Sequence, residues 1–207
     1  METQFLEAPV LPGIRLIFVR HGQTDANLRK ILQGQSDGLL NETGIAQVEK
    51  LADHLGQVHI DHVISSDMRR TKATAQSIAD KHNLHVELDP RIREWHTGDW
   101  DAMPAVDFHA MIARNNWKRV DLSPPNGETL QQVRDRAKPF LADLVITGIG
   151  KTVLVCSHGD FMRALLGELL NLSIDAASAF FFDNASYSVM ELKEEMWKLI
   201  ASNRIAQ

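Results

Sequence analysis

Two apolar runs in this chain end in the same way, with a histidine followed by a glycine. Residues 16–19 lead into Arg-His-Gly at 20–22, and residues 153–156 lead into Ser-His-Gly at 157–159. Short apolar runs of this kind are typical of strands buried inside a parallel sheet. Because ligands bind at the carboxyl ends of such strands, both histidines are expected at one edge of the sheet, next to a ligand.

The residue types at these strand ends favour phosphoryl chemistry. An imidazole such as that of His21 can act as a nucleophile near neutral pH, and the neighbouring Arg20 can bind an oxyanion. Gly22 and Gly159 carry no side chain, so backbone and ligand can approach each other closely there.

Helical and strand-like patterns alternate along the rest of the chain. Asn41 is a candidate N-cap of a helix whose apolar residues recur at steps of three and four up to Gly56. The pattern predicts strands at about 14–20, 61–65, 84–88 and 151–157, helices at about 41–56, 67–82, 130–144 and 160–171, and strand-like segments near 178–183, 186–192 and 196–200. This order predicts an α/β three-layer sandwich with a mostly parallel central sheet and helices on both faces.

Length, charge and cysteine content narrow the class of protein. The 207 residues suit a loose N-terminal tail at 1–13 and a single domain at 14–207. A formal net charge of -5 disfavours nucleic-acid binding. One cysteine cannot form a disulfide within the chain, and no stretch approaches the roughly 20 apolar residues of a membrane span. These features favour a cytoplasmic protein that does not bind membranes, and they leave its oligomeric state open.

Four motifs taken together resemble the histidine phosphatase superfamily, also called the phosphoglycerate mutase-like family. They are Arg-His-Gly at 20–22, Ser-Ser-Asp-Met-Arg-Arg at 65–70, Glu94, and Ser-His-Gly at 157–159. The resemblance runs from about residue 14 to 190 and implies a phosphatase that works through a phosphohistidine intermediate. It implies no metal or other cofactor, and the spacing of His59 and His62 alone predicts no zinc site.

The resemblance also implies a role for each matching residue. His21 would attack phosphorus, while Arg20, Arg70 and His158 would surround the phosphoryl group. Glu94 would donate a proton to the leaving oxygen and then help to activate water. The residues implied in substrate binding are Thr24, Asn27, Gln33, Gly34 and Gly159.

The same catalytic residues could transfer phosphate to water or to a second substrate. Mutases of the family typically have Glu-Arg-x-Tyr-Gly where this chain has Glu-Trp-His-Thr-Gly at 94–98, and their segment before the second histidine is longer. We therefore expect a phosphomonoesterase that acts on a small phosphorylated metabolite. A mutase-type phosphotransferase and a non-catalytic sensor of phosphorylated ligands are the alternatives.

Residues 95–122 are rich in large apolar side chains, and the sequence allows two hypotheses for this segment. It could be a lid that sets specificity, or a helix at about 104–117 that buries Phe108 and Met111 against the body. The other large apolar residues of the segment are Trp95, Trp100, Met103 and Trp117. Lys118 and Arg119 follow closely and could meet a second acidic group on the substrate.

Overall fold

The computed structural model describes residues 13–206, so most of the predicted N-terminal tail lies outside the described residues. Six strands form one sheet in the order β3-β2-β4-β1-β5-β6. The strands are β1 (Gly13–Arg20), β2 (His62–Ser65), β3 (Val86–Leu88), β4 (Thr152–Ser157), β5 (Ser186–Lys193) and β6 (Met196–Ile205). The helices are α1 (Asp25–Leu28), α2 (Glu42–Leu55), α3 (Arg69–His82), α4 (Ala105–Asn115), α5 (Leu130–Gly148), α6 (Gly159–Leu169) and α7 (Ile174–Ala177).

The sheet is parallel in one half and antiparallel in the other. Strands β3, β2, β4 and β1 pair in parallel, whereas β5 pairs antiparallel with both β1 and β6. The predicted α/β class and the mostly parallel sheet are thus confirmed for four of the six strands. The two apolar runs that end in His-Gly form β1 and β4, which are direct neighbours at the centre of the sheet.

Successive side chains of the central strands pack on opposite faces of the sheet, and helices cover both faces. On one face, Leu16 and Phe18 of β1 pack in a core that includes residues of α5 and α6. On the other face, Ile17 and Val19 pack in a core that includes residues of α2 and α3. The buried thiol of Cys156 belongs to this second core, and burial raises its pKa.

The prediction of a strand-like segment near residues 178–183 is wrong. This segment follows α7 as irregular backbone, and only residues 186–193 form the next strand. The carbonyls of Phe180 and Phe182 accept hydrogen bonds from the side chains of Arg163 and Arg20 rather than from a neighbouring strand. The apolar composition of the segment does not indicate that its carbonyls accept hydrogen bonds from arginine side chains instead of from a neighbouring strand.

Most of the aromatic residues between 95 and 122 belong to the core. The side chains of Trp95, Trp100 and Phe108 are buried, and Met103 and Met111 pack against the same core. Trp117 is partly exposed and stacks on Trp100, with 6.2 Å between ring centroids. Among residues 13–206, none of the helices is long and apolar enough to span a bilayer.

Candidate active site

The two histidines meet where β1 and β4 end side by side. Arg20 pairs with Ser157 in the parallel register, and the backbone N–H of His21 donates to the carbonyl of Ser157. This register brings the imidazoles of His21 and His158 to 5.2 Å between ring centroids. Both side chains are buried.

One hydrogen bond determines which nitrogen of His21 can react. Nδ1 lies 2.8 Å from the carbonyl oxygen of Gly22, and since a carbonyl can only accept, Nδ1 carries the proton. In the neutral ring, Nε2 therefore keeps a free lone pair. Burial lowers the pKa of His21 well below its usual value, and the charges of Arg70 and Arg20 lower it further. The arrangement favours a neutral imidazole that can act as a nucleophile through Nε2.

Arg70 fixes the second histidine. Its Nε donates to Nδ1 of His158 at 3.2 Å, which leaves the proton of that ring on Nε2, 3.0 Å from the hydroxyl of Ser66. The other two nitrogens of the guanidinium donate to the carbonyls of Gly34 and Ser36. Burial lowers the pKa of Arg70 to about 10, so this side chain remains a cation at neutral pH. Arg69, in contrast, is exposed.

Arg20 has a buried N–H group that is available to a ligand. Its Nη1 donates to the carbonyl of Phe182 at 2.6 Å, but its Nε is buried and has no hydrogen-bond partner among the described residues. A buried guanidinium N–H without a partner is costly, and an anion would satisfy it. Gly159 lies beside this group: a Cβ at that position would be 3.7 Å from Nε of Arg20.

The carboxyl group of Glu94 lies at the N-terminus of α6. Its Oε1 accepts from the backbone N–H groups of Trp95, Asp160 and Phe161 at 2.9–3.1 Å. Burial raises the pKa of Glu94, and the nearby carboxylate of Asp160 raises it further, while the N–H groups and Arg70 act in the opposite direction. The raised pKa keeps a larger fraction of Glu94 protonated, as a general acid requires.

Four polar side chains, three from residues 24–33 after β1 and one from the turn before β5, form a network. The amide oxygen of Asn27 accepts from the backbone N–H of Thr24 and from Nδ2 of Asn184, which also donates to the carbonyl of His21. The hydroxyl of Thr24 lies 2.9 Å from Oε1 of Gln33. Thr24, Asn27 and Gln33 thus lie together beside the His21 loop, held mainly by one another.

Gly34 adopts a left-handed backbone conformation at a position where there is no room for a side chain. Its φ is +45°, and a Cβ there would overlap the side chains of Thr97 and Asp101. Its carbonyl accepts from Nη2 of Arg70 at 2.8 Å. In the described structure, Gly34 therefore acts by holding Arg70.

The loop that carries His21 packs against the start of α2 through two glycines. A Cβ on Gly22 would lie 2.7 Å from the carbonyl oxygen of Gly44, and a Cβ on Gly44 would overlap the backbone of Gln23. The N-cap of α2 is Asn41, as predicted from the sequence, and its side chain accepts from Gly44 N–H at 2.8 Å. The position of His21 thus depends on close backbone contact.

We expect Gly44→Ala to reduce the free energy of unfolding by about 1–3 kcal/mol, because the added methyl group must displace the backbone at Gln23. Urea denaturation measures this loss, and a catalytic assay should show reduced turnover as the His21 loop shifts. Glu49→Ala, an exposed change on the same helix, is the control and should alter the free energy of unfolding by less than about 0.5 kcal/mol. Equal stability of the two variants would contradict the prediction.

Arg136 on α5 is a site residue that the sequence analysis missed. Its guanidinium donates to the backbone carbonyls of Arg91, Arg93 and Glu94 at 2.7–2.8 Å, and to the carboxylate of Glu128. These bonds fix the segment that carries the acid. A charged residue within a helix gives no local sequence signal for such a role. Its partner Glu128 belongs to the Pro-Pro-Asn-Gly-Glu-Thr turn at 124–129, which directly precedes α5.

A second charged cluster adjoins the acid. Asp160 Oδ1 accepts from Arg119, which reaches it from the 3₁₀ turn Arg119–Asp121, and from Nη1 of Arg163 at 3.0 Å. The guanidinium of Arg119 also lies over the ring of Trp95, 5.6 Å from its centroid. Of the two basic residues that end the 95–122 segment, Arg119 reaches this cluster and Lys118 is exposed. Among residues 13–206 no group of three or more His, Cys, Asp and Glu side chains could hold a metal ion.

Comparison with known proteins identifies the family. The model of the histidine phosphatase superfamily (branch 1) matches residues 16–205. Phosphoserine phosphatase 1 of Hydrogenobacter thermophilus is 34% identical over 185 residues, which are 87% of this chain and 88% of that protein. A probable phosphoglycerate mutase of an Enterobacter species is 31% identical over 190 residues, covering 89% of this chain and 87% of the relative.

A solved structure supports the same conclusion. The structure of a mycobacterial glucosyl-3-phosphoglycerate phosphatase in complex with VO3 has a TM-score of 0.83 and 34% identity, and the match covers 92% of this chain and 98% of that one. Fold, family model and named relatives therefore agree. The chain belongs to branch 1 of the histidine phosphatase superfamily and is a histidine phosphatase.

Proposed function

We propose that this enzyme hydrolyses a small phosphorylated metabolite through a phosphohistidine intermediate on Nε2 of His21. The observation that carries the proposal is the hydrogen bond from Nδ1 of His21 to Gly22, which leaves Nε2 as the free nitrogen. The lowered pKa of the buried ring supports a neutral nucleophile at cellular pH.

In the first step, Nε2 of His21 forms a bond to phosphorus as the bond from phosphorus to the substrate oxygen breaks. Arg20 and Arg70 bind the phosphoryl oxygens, and the unpartnered Nε of Arg20 supports this assignment. His158 lies beside them, and it would bind a phosphoryl oxygen by turning its Nε2–H from the hydroxyl of Ser66 to the ligand. Glu94 in its acid form gives its proton to the leaving oxygen, so the product leaves as an alcohol. The enzyme then holds phosphohistidine and a carboxylate at Glu94.

In the second step, the carboxylate of Glu94 takes a proton from water as that water attacks phosphorus. The bond between phosphorus and Nε2 breaks, inorganic phosphate leaves, and Glu94 is protonated for the next cycle. Thr24, Asn27, Gln33, Gly34 and Gly159 complete the binding site, through their side chains or by holding the backbone around the phosphoryl group.

The charges beside the site favour a substrate with a second acidic group. Arg119 and Arg163 share one carboxylate, that of Asp160, so this cluster keeps one net positive charge in addition to Arg20 and Arg70. Phosphoserine and phosphoglycerate, which occur in the names of the relatives, each carry a carboxylate next to the phosphate. Arg119 lies near the C-terminal end of the segment 95–122, and we assign specificity to this end of the segment rather than to its buried aromatic residues.

A phosphoglycerate mutase activity is the second candidate, since one relative bears that name. The segment Glu-Trp-His-Thr-Gly at 94–98 lacks the arginine and tyrosine that are typical of mutases at these positions. This difference favours transfer of the phosphoryl group to water. The single, buried cysteine fits a reducing compartment such as the cytoplasm.

A panel of phosphomonoesters tests the proposal. The purified enzyme is incubated with phosphoserine, 3-phosphoglycerate, sugar phosphates and simple alkyl phosphates, and phosphate release is measured as kcat/KM. We expect the highest values for monoesters that carry a carboxylate, together with an acid-labile phosphoenzyme. Isomerisation of 3-phosphoglycerate that is stimulated by 2,3-bisphosphoglycerate and releases no phosphate would show a mutase instead. Binding of phosphorylated ligands without any turnover would show a sensor.

A further inference from the structure

Asp160 contacts the proposed general acid and two cations at the same time. Its backbone N–H donates to Oε1 of Glu94 at 3.1 Å, and its side chain accepts from Arg119 and Arg163. Asp160 therefore links the 3₁₀ turn Arg119–Asp121 to Glu94. Neither the hydrolysis steps nor the binding of the phosphoryl group uses this carboxylate directly.

The charge of Asp160 opposes that of the two arginines at a short distance from Glu94. Burial works to raise the pKa of Asp160, but Arg119 and Arg163 outweigh it, so the pKa is lowered and the group stays ionised. An ionised neighbour disfavours a second negative charge on Glu94. The same negative charge offsets part of the positive field of Arg119 and Arg163 at Glu94, and it therefore favours the protonated acid.

We propose that Asp160 is a positioning residue that keeps Glu94 protonated and in place, and so determines whether the enzyme can cleave esters with poor leaving groups. This inference rests on the proposed function of Glu94 as the general acid. An alkoxide leaves only if it receives a proton, whereas p-nitrophenolate is stable enough to leave without one. The contribution of Asp160 should therefore depend on the leaving group.

The other charged and titratable groups around Glu94 and Asp160 are unchanged in Asp160→Asn. Arg20 and Arg70 act on Glu94, Arg119 and Arg163 contact Asp160, Arg136 donates to the backbone carbonyl of Glu94, and His21 and His158 lie beside Arg20 and Arg70. Arg20 and Arg70 are cations that favour the carboxylate form of Glu94. The carboxylate of Asp160 opposes them.

The test compares pH profiles of kcat/KM for benzyl phosphate and p-nitrophenyl phosphate. In Asp160→Asn the two arginines lose their counter-charge, so the pKa of Glu94 should fall. Because Glu94 then loses its proton at lower pH, the decline in benzyl phosphate hydrolysis should move to lower pH. At pH 7.5 the loss for this substrate should be about tenfold or more, and it should shrink at lower pH. The loss for p-nitrophenyl phosphate should stay within about threefold at either pH.

A second variant makes the opposite prediction. Arg119→Met retains apolar contact with Trp95 but removes one cation from Asp160, so the declining limb for benzyl phosphate should move toward higher pH. Benzyl phosphate has no second acidic group, which keeps the effect separate from substrate recognition by Arg119. An unmoved limb in Asp160→Asn, or shifts of the same sign in both variants, would overturn the proposal.

The failure of this proposal can be distinguished from failure of the proposed function. If the wild type hydrolyses p-nitrophenyl phosphate with formation of a phosphoenzyme, the nucleophile is intact whatever Asp160 does. Equal losses on both substrates at every pH would then assign Asp160 a structural role only. If the wild type itself forms no phosphoenzyme, the proposed function fails first.

Discussion

The variant His21→Ala should lose at least about 10⁴-fold in kcat for every phosphomonoester that the wild type hydrolyses. No other described side chain occupies the position of Nε2 between His158 and the two arginines, so the covalent route is removed as a whole. The measurement is phosphate release with p-nitrophenyl phosphate, combined with an alkaline quench that preserves labelled phosphohistidine. His59→Ala is the matched control, because His59 is an exposed histidine outside the site and its loss should leave kcat unchanged.

The pH dependence of the wild type provides a further check on His21. Since burial and the two arginines lower its pKa, the imidazole stays neutral below the pH at which an ordinary histidine becomes charged. For p-nitrophenyl phosphate, the acid-side decline in kcat/KM should therefore occur below pH 6.5, the usual histidine pKa. A labelled phosphoenzyme that persists in His21→Ala would place the nucleophile elsewhere.

The variant Glu94→Gln should lose about 10²- to 10⁴-fold in kcat/KM for benzyl phosphate, and far less for p-nitrophenyl phosphate. Glutamine can still accept the backbone hydrogen bonds that reach Oε1, but it has no proton to give. Without a base for the second step, phosphohistidine should accumulate with p-nitrophenyl phosphate as a burst of one equivalent of nitrophenol. Equal losses on the two substrates would argue against an acid role.

The same variant should be more stable than the wild type at alkaline pH. Burial raises the pKa of Glu94 in the folded state, so the folded protein loses stability as the pH rises through that value and the buried group becomes charged. Glutamine never acquires this charge. Thermal unfolding at a series of pH values above 4.5 measures the difference, and the gain from Glu94→Gln should increase as the pH rises. A gain of equal size at every pH would contradict a raised pKa for Glu94.

Much of the central fold and the proposed site could be predicted from the sequence, because the evidence for them is local. Apolar runs that end in His-Gly mark the ends of β1 and β4, and parallel pairing then brings His21 and His158 together. Repeated apolar steps located α2, and Asn41 marked its start. The residues given roles by resemblance lie around one another, with Arg70 bonded to His158.

What the sequence could not predict depends on contacts between distant segments. Arg136 and Asp160 lie in helices, where a charged residue is ordinarily exposed, and their partners at 91–94, 119 and 128 are remote in the chain. The segment 178–183 is rich in phenylalanine, yet its carbonyls bond to Arg20 and Arg163, which no strand pattern encodes. The sequence does not show whether the apolar residues of 95–122 belong to a lid or to the core, because pockets and cores contain the same types of apolar side chain.

The burial of Cys156 has a consequence for how such an enzyme behaves under oxidative conditions. Peroxides and alkylating reagents attack thiolates that solvent can reach, but this sulfur is enclosed in the core and its pKa is raised. Phosphatases that use a thiolate as nucleophile are inactivated by such reagents, whereas the nucleophile proposed here is a nitrogen. Hydrogen peroxide and iodoacetamide should therefore leave the phosphatase activity of this protein unchanged at concentrations that inactivate thiol-dependent phosphatases.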